Sequence, residues 1–361
     1  MHRRVRIRHL LAGAVALVAL IFTTGVPAGA TGPTVLLDGL SSPKGLTLDG
    51  NGNPVISQGA LGPPGPTLRF KVGSGQVEQL TGGPQSTVGI AWARTGDAFW
   101  TLLGNEQYRA LYRPEPKVRP TVIGRLKAFA NANPDPYDLE GNPTESNPFA
   151  IATTLQGDAL VADAAANSVV RISKSGQASL VARLAPELVK TDHIPPDEIP
   201  GLPPQLPAEA VATSVAVSGN GTIYIGELKG FPFRPGTSRI WKVPAGTTNA
   251  VCSANPAIPS SGCTLYKGGL TSIAALAVAP NGSAVYAFEY AEDGVGAFEA
   301  GCFGPAGCPP AVLLKLQGGQ VTELARGQLS EPGALAIRGG SLYATDHVLS
   351  PNAGRLLKLA G

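Results

Sequence analysis

Short apolar segments alternate with turns along most of the chain, and the whole arrangement repeats six times. Each repeat has an apolar segment, a turn with glycine, a second apolar segment, a loop, a third segment with basic residues and a short fourth segment. The first two segments read GLTLDGNGNPVISQ, GIAWARTGDAFWTLL, AIATTLQGDALVAD, SVAVSGNGTIYIGE, LAVAPNGSAVYAFE and LAIRGGSLYATD. Short apolar runs bounded by Gly, Asn and Asp predict β-strands, and the Asn-Gly pairs predict tight hairpin turns.

The sixth repeat ends the chain without its fourth segment. The segment PTVLLDGL, residues 33–40, has the missing pattern and precedes the first repeat. We therefore predict an all-β fold, a six-bladed β-propeller of four-stranded antiparallel blades, closed by pairing of strand 33–40 with the C-terminal blade. Long amphipathic helices between the strands, which a parallel α/β fold would need, are missing, so residues 31–361 are predicted to form one propeller domain.

Three large insertions map to one face of this propeller. The first strand of a blade lies at the axis, and its start, the loop after the second strand and the connection to the next blade share a face, here called the upper face. Insertions 128–148 and 185–212 precede repeats three and four, and insertion 290–311 lies in repeat five. The first two are rich in Pro and acids, which predicts extended lids rather than helices. We predict that the upper face carries the function.

Polar side chains recur at the end of the second strands. The acids at this position are Asp163, Glu227, Glu289 and Asp346, and Gln58 stands in register with them. Recurrence at one structural position predicts a structural role, in which the side chain accepts hydrogen bonds from backbone N–H groups of the next turn.

A second set of residues stands just before the first strands, where side chains are predicted to face the mouth of the central channel. It comprises Ser42, Ser86, Asn147, Val211, Ser272 and Glu331. The five polar members, all but Val211, are the candidate binding residues of the channel mouth. The alternative is that they simply begin strands at a solvated rim.

The first 30 residues have the pattern of a secretory signal peptide: a basic start, an apolar stretch and the small-residue run Ala28-Gly29-Ala30. Arg3 and Arg4 leave a twin-arginine export route open. Cleavage near Ala30 removes four of the 28 Lys+Arg and no acid, so 24 basic residues remain against 25 acidic ones and the charge changes from +3 to about −1. We expect an extracellular protein, monomeric and free of the membrane, with no nucleic-acid partner.

Four cysteines fall in two local pairs. Four cysteines allow three connectivities, and an exported chain permits oxidation. We predict the local pairing, Cys252–Cys263 and Cys302–Cys308. The spacing does not form the CxxC pattern of a zinc site, so zinc binding is a poor alternative.

Signatures of catalysis are weak. After removal of the leader, His193 and His347 are the remaining histidines, and the GxSxG, P-loop and GxGxxG motifs do not occur. We expect no cofactor; Ca²⁺ is the metal that oxygen ligands would favour, either Asn147 with Glu331 or the acids of insertion 128–148. Those acids are Asp135, Asp138, Glu140 and Glu145.

The chain resembles the ScyD/ScyE family of exported bacterial β-propellers, which are related to NHL-repeat proteins. The stretches that carry the resemblance lie at 145–172, 213–243 and 265–290, and its most specific marks are ESNPF and GELKGFPFRPG. The resemblance spans about residues 33–359 and implies fold and export rather than an activity. Some six-bladed relatives are calcium-dependent lactonases with Glu, Asn and Asp at the channel, which Glu331 and Asn147 match in residue type.

The segment GELKGFPFRPG carries two aromatic residues between prolines, Phe231 and Phe233. Aromatic side chains on a stiff turn can anchor a ligand or a protein on the upper face, or pack under the neighbouring insertion. Together these observations predict a secreted scaffold that binds a small molecule or a protein, and they favour binding over catalysis. The alternative is a calcium-dependent hydrolase or lactonase at the channel mouth.

Overall fold

The computed structural model describes residues 32–81, 86–96, 98–103, 110–113 and 121–360. Its strands are short and its two helices lie in insertions. The first strands are β1 (Thr34–Leu40), β2 (Gly45–Leu48), β3 (Pro54–Ser57), β4 (Leu68–Lys71), β5 (Gln76–Gln79), β6 (Thr87–Trp92), β7 (Phe99–Leu103), β8 (Ala110–Arg113) and β9 (Thr121–Arg125). Helix α1 (Leu126–Ala132) follows β9.

The middle of the chain contributes the third and fourth large sheets and a separate hairpin. Its strands are β10 (Pro148–Thr153), β11 (Ala159–Asp163), β12 (Ser168–Ile172), β13 (Ala178–Leu184), β14 (Glu187–Lys190), β15 (Gln205–Ala208), β16 (Ala210–Val217), β17 (Ile223–Lys229), β18 (Ser238–Val243), β19 (Ala250–Cys252) and β20 (Thr264–Leu270).

The last part of the chain contains helix α2 (Gly294–Cys302) between its second and third strands. Its strands are β21 (Ile273–Val278), β22 (Ala284–Glu289), β23 (Pro310–Gln317), β24 (Gln320–Glu323), β25 (Leu329–Ser330), β26 (Leu335–Arg338), β27 (Ser341–Asp346) and β28 (Gly354–Ala360).

In the described residues these strands form the sheets of a β-propeller. Six sheets have four or five strands, and β14 pairs with β15 in a seventh. In chain order the large sheets are β2–β5, β6–β9, β10–β13 with β19, β16–β18 with β20, β21–β25, and β26–β28 with β1; we call them sheets one to six. The all-β propeller class predicted from the sequence is therefore confirmed.

The N-terminal strand β1 lies beside the C-terminal strand β28 in sheet six. Thr34 pairs with Lys358 and Val35 with Leu357 in antiparallel register. On the other side of the same sheet, the Arg338 guanidinium donates to the carbonyl oxygens of Asp49 and Gly50, at 2.9 and 2.8 Å. Sheet six is thus tied to sheet one through side-chain contacts as well as through the chain.

The core is divided into clusters that lie between neighbouring sheets. Alternate residues of one strand face opposite neighbours: in β11, Leu160 packs in a cluster with sheet four, whereas Val161 packs in a cluster with sheet two. The remaining clusters join sheets four and five, five and six, six and one, and one and two. This is the packing expected of strands with a period of two that are buried on both faces.

The insertions differ in part from the extended lids that their composition predicts. Insertion 128–148 begins inside helix α1, so the expectation for it was wrong at its N-terminal end. The sequence LKAFANA has high helix propensity and buries Leu126 and Ala130 on one face. Insertion 290–311 contains helix α2. Insertion 185–212 is extended, with β14 and β15 as its hairpin.

The two predicted cysteine pairs are confirmed as disulfides, Cys252–Cys263 and Cys302–Cys308. The Cys252–Cys263 disulfide lies at the end of β19. The sequence does not predict that this strand joins a neighbouring sheet. β19 pairs in parallel with β13 and so extends sheet three with a segment that follows β18 of sheet four. The described part of the chain has no helix long and apolar enough to cross a bilayer. The signal peptide predicted over residues 1–30 lies outside the described residues.

Candidate functional site

A central channel runs between the first strands of the six large sheets, and two cavities occupy it. Strands β2, β6, β10, β16, β21 and β26 contribute lining residues to both. One cavity lies toward the upper face, where these strands begin, and the other lies toward the opposite, lower face, where they end. Six residues, one from each strand, line both cavities and therefore lie between them: Leu46, Ile90, Ile151, Val215, Leu276 and Leu335. We call these residues the apolar ring.

The upper cavity is small, about 60 Å³, and contains a buried lysine. Lys44 precedes β2, and its Nζ lies 3.4 Å from the centroid of the Phe149 ring, which comes from sheet three. Burial lowers the pKa of Lys44 to about 7. The side chain thus reaches over the channel toward a ring of a non-adjacent sheet and narrows the upper mouth.

The lower cavity is larger, about 400 Å³. Most of the residues that line it are apolar, and they include Leu48, Trp92, Val217, Val278 and Ile337 in addition to the apolar ring. A volume of this size and a wall of this kind are typical of sites that bind small organic molecules.

Charged groups stand at the rim of the lower cavity. Arg94 and Arg338 supply two guanidinium groups, and Asp49 is the one acid among the lining residues. The Asp49 carboxylate is already engaged, since its Oδ2 lies 3.0 Å from the Arg69 Nε and its Oδ1 accepts the N–H groups of Asn51 and Asn53. Among the described residues Arg94 has neither an ion pair nor a side-chain hydrogen bond. Among the described lining residues, two guanidinium groups thus accompany one carboxylate that is already paired.

The predicted channel-mouth residues do not line either cavity. Ser42, Ser272 and Glu331 have left-handed φ values of 46°, 46° and 48°. In each case a side-chain oxygen accepts a backbone N–H from the loop after the second strand of the same sheet. The donors are Leu61, Val295 and Leu349, at 2.9, 2.8 and 2.8 Å.

These side chains therefore hold loops of the upper face. Both carboxylate oxygens of Glu331 are used, because Oε2 also accepts the Ser350 N–H and Oε1 the Ser350 hydroxyl. Asn147 is exposed and Ser86 half-buried. The residues that do line the upper cavity in the matching strands come two positions later: Lys44, Val88, Phe149, Ala274 and Gly333. At Ser42, Ser272 and Glu331 the left-handed backbone directs the side chain to a loop, and the lining of the upper cavity begins two residues later.

Three of the polar residues at the ends of second strands share one contact. Gln58 Oε1, Asp163 Oδ1 and Glu289 Oε1 accept the backbone N–H of Ser41, Asn147 and Thr271, at 2.7, 2.7 and 2.6 Å. Each donor lies just before the first strand of the same sheet. Asp163 also accepts the Ser146 hydroxyl and the Ala166 N–H. These side chains fix the start of the inner strand.

Glu227 and Asp346 have cations as partners instead. Asp346 is fully buried and forms two hydrogen bonds with the Arg355 guanidinium, which holds the pKa of Arg355 above its usual value. Glu227 contacts the ammonium of Lys229, and its Oε2 accepts the Trp241 indole N–H. All four acids are buried and engaged, and none lines the channel cavities.

Glu227 belongs to a buried charged cluster that also contains Glu187, Lys229 and Arg239. The Lys229 Nζ lies 3.1 Å from Glu187 Oε1, and the Arg239 guanidinium donates to both Glu187 oxygens. Burial would raise the pKa of Glu187, but the hydrogen bond from Arg239 and the charges of Lys229 and Arg239 hold it below its usual value. Because Glu187 lies in β14, the cluster fastens the β14–β15 hairpin to sheet four.

The aromatic residues of GELKGFPFRPG pack against each other, and the Phe233 ring lies beside Gly296 of insertion 290–311. The Phe231 and Phe233 ring centroids are 5.8 Å apart in an edge-to-face arrangement. His193 Nε2 lies 2.9 Å from the Pro232 carbonyl oxygen, and Arg234 pairs with Asp192. Phe231 retains 37% exposure. The segment thus holds insertion 185–212 in place and leaves one ring edge at the surface.

The acids suggested as peripheral calcium ligands are dispersed. Asp135 accepts a hydrogen bond from Asn167 and lies near Arg183, and Asp138 accepts the Asn142 N–H. No group of three His, Cys, Asp or Glu side chains with the spacing of a metal site occurs in residues 32–360 as far as they are described.

The sequence analysis did not identify Lys44 and Arg94, which line the two cavities. The signal that could have identified them is a basic residue at either end of an otherwise apolar inner strand.

Comparison with solved structures supports the propeller fold. The PQQ-bound aldose sugar dehydrogenase of Streptomyces coelicolor is 13% identical, with a TM-score of 0.53 over 92% of this chain and 99% of that one. An oxidoreductase (glucose dehydrogenase) of Thermus thermophilus is 14% identical, with a TM-score of 0.52 over 92% and 100%. A gluconolactonase of Xanthomonas campestris is 12% identical, with a TM-score of 0.51 over 90% and 88%.

At these identities the likeness concerns the fold alone. No family model and no curated protein matches the sequence. The ScyD/ScyE resemblance is therefore not confirmed by comparison.

Proposed function

We propose that this protein is a binding protein that takes an apolar, negatively charged small molecule into the lower cavity of its central channel. The observation that carries the proposal is a cavity of about 400 Å³ that is lined mainly by apolar residues and has two guanidinium groups at its rim. The functional end of the channel is then the lower face rather than the upper face that the insertions suggested.

The charge at the rim supports an anionic ligand. Asp49 is neutralised by Arg69 at 3.0 Å, so Arg94 and Arg338 are not opposed by a lining carboxylate. Arg338 is held by two carbonyl oxygens through one nitrogen, which orients its guanidinium. A carboxylate can accept two hydrogen bonds from one guanidinium, and such charge-assisted bonds are stronger than neutral ones.

The wall supports an apolar body for the ligand. Each CH₂ group that leaves water for an apolar site contributes about 0.8 kcal/mol. A chain of eight to ten carbons would therefore bind mainly through the wall, and the arginines would set its direction. The apolar ring would form the floor of the site.

We also propose the finer assignments that the sequence suggests. The six large sheets would be six blades of one closed ring, supported by β1 beside β28 and by the core clusters between successive sheets. The chain would be an exported, NHL-related propeller of the ScyD/ScyE type, supported by the leader pattern and by two disulfides, which suit an oxidising environment.

Decanoate is a suitable probe, with decanol as the uncharged control. Trp92 lines the cavity, so its fluorescence should change as the site fills. We expect saturable binding of decanoate, a raised melting temperature, and about tenfold weaker binding in Arg94→Gln, the loss expected for one hydrogen bond to a charged group. Val215→Trp, which fills the cavity from its floor, should abolish binding. Arg326→Gln, at an exposed ion pair far from the channel, should bind as the wild type does.

Two results would contradict the proposal. One is no saturable response to decanoate in the unmodified protein. The other is equal affinity in the wild type, Arg94→Gln and Val215→Trp, which would place binding elsewhere.

A further inference from the structure

The upper cavity presents a lysine amine without a counter-ion. Lys44 is 8% exposed, and no described carboxylate forms an ion pair with it. The residues that line this cavity include neither Asp nor Glu. A buried ammonium normally has an anionic partner, because removing its hydration is costly. The Phe149 ring beneath it offers a weaker attraction and fixes where the amine lies.

The wall beside the amine is made of small residues. Gly89, Ala150, Ala274, Ala275 and Gly333 contribute to it. The cavity of about 60 Å³ has room for roughly four to six water-sized groups at about 10–15 Å³ each. The cavity that Lys44 lines is thus large enough for a molecule of a few heavy atoms. None of the described lining residues carries a carboxylate that would pair with the amine there.

We propose that Lys44 is a nucleophilic amine that forms a reversible imine with small aldehydes or ketones at the upper end of the channel. The nitrogen lone pair adds to the carbonyl carbon and gives a carbinolamine. Both amine hydrogens and the carbonyl oxygen then leave as one water molecule, and a C=N bond remains. Hydrolysis reverses the reaction, so no oxidant or reductant takes part.

The amine must be neutral for the first step, and its surroundings favour this form. Burial lowers the pKa of Lys44 to about 7, so about half of the amine is neutral at neutral pH. An ordinary lysine, with a pKa of about 10.4, has less than about a thousandth of its amine neutral there. This inference concerns the end of the channel opposite to the proposed ligand cavity and does not depend on it.

Reductive trapping tests the proposal directly. The leaderless chain would be incubated at pH 7 with a low concentration of propanal and cyanoborohydride, which converts an imine into a stable propyl-lysine. Peptide mass spectrometry would then give the labelling rate at each lysine and at the N-terminal amine. Lys242 and Lys315 are matched controls, since each also lies near an aromatic ring, at 5.9 and 5.8 Å, but outside the channel.

We expect Lys44 to be labelled at least about tenfold faster than either control. The neutral fraction of the amine favours Lys44 by about a thousandfold at pH 7, which leaves a margin for restricted access. The rate at Lys44 should rise through pH 7 and level off by pH 8, whereas that at the controls should keep rising. Lys44→Arg keeps the positive charge but lacks the amine, so it should not be labelled at this position. Lys44→Met tests whether the protein still folds with an apolar side chain at this position. Labelling at Lys44 no faster than at Lys315, or unaffected by pH between 6 and 8, would overturn the proposal.

The two proposals fail separately. Lys44→Arg should leave decanoate binding and the Trp92 signal unchanged, because the apolar ring lies between the cavities. Loss of decanoate binding in this variant would show that the two ends do not act independently.

Discussion

Glu289 is a buried carboxyl with one backbone donor, the Thr271 N–H, and no ion pair among the described residues. Burial raises the pKa of Glu289 to about 7, against about 4.3 in an unfolded chain. The folded state therefore holds this proton more tightly than the unfolded state does. Between about pH 4.3 and 7 the free energy of unfolding should fall as pH rises, because folding then buries a charge.

Glu289→Gln removes this charge and keeps an oxygen for the Thr271 N–H. We expect the variant to be more stable than the wild type by about 1–3 kcal/mol at pH 8, and by less than about 1 kcal/mol at pH 4.5. Urea unfolding at the two pH values measures the difference. Asp346→Asn is the contrasting variant: its carboxylate pairs with Arg355, so this substitution should destabilise the protein at pH 8. Equal destabilisation of Glu289→Gln at both pH values would rule out the argument.

Among the elements, the β14–β15 hairpin depends on a few charged contacts. Glu187 is its link to Lys229 and Arg239, and both cations also contact Glu227 of sheet four. Removing Glu187 leaves both cations in contact with Glu227, so the sheet should remain folded while the hairpin loses its anchor.

In Glu187→Ala we expect amide hydrogen exchange over residues 187–208 to quicken by about tenfold or more, with little change in β16 to β18. Exchange followed by mass spectrometry measures both regions. Lys190→Ala, at an exposed position of the same hairpin, should leave the exchange unchanged. Glu227→Ala should instead lower global stability, by about 3–5 kcal/mol, because Glu227 is almost fully buried within sheet four and also accepts the Trp241 indole N–H. Unchanged exchange in Glu187→Ala would mean that the hairpin is held by other contacts.

For the whole molecule, the pairing of β1 with β28 joins the first and the last strand of the described residues. Leu40 and Leu356 are both 2% exposed or less and pack in one cluster with sheet one. A chain that begins at residue 41 would expose this cluster and the edge of β28. We expect its unfolding midpoint in urea to fall by an amount equivalent to several kcal/mol, and its tendency to aggregate to rise.

A chain that begins at residue 32, which keeps β1, is the control and should show neither change. If the chain that begins at residue 41 matched it in midpoint and solubility, β1 would contribute nothing to the stability of the molecule.

Much of the propeller could be predicted from the sequence because a period of two and turn glycines are local signals. The third strands were predicted from the same signals. The disulfide pairs were predicted from the short spacing between the two cysteines of each pair. β19 was missed since it pairs with a neighbouring sheet, and nothing local indicates such a partner. Helix α1 was missed because the prolines that follow it dominated the composition of its insertion.

The candidate site could be predicted less well. The recurrence of Gln58, Asp163 and Glu289 indicated a structural position, which their shared backbone contact explains. Ser42, Ser272 and Glu331 were assigned to the channel because a count along an ideal strand ignores a left-handed residue before the strand. Whether a basic residue such as Lys44 is buried depends on which blades face each other, and that is a property of the assembled molecule.

The apolar ring has a consequence for what can move through the molecule. Six aliphatic side chains at the axis present no polar atom to a hydrated ion, so permeation from one face to the other is disfavoured and each opening equilibrates with its own side. A hydrated ion admitted at one opening is therefore expected to leave by the same opening, and its escape rate is then governed by the groups at that rim.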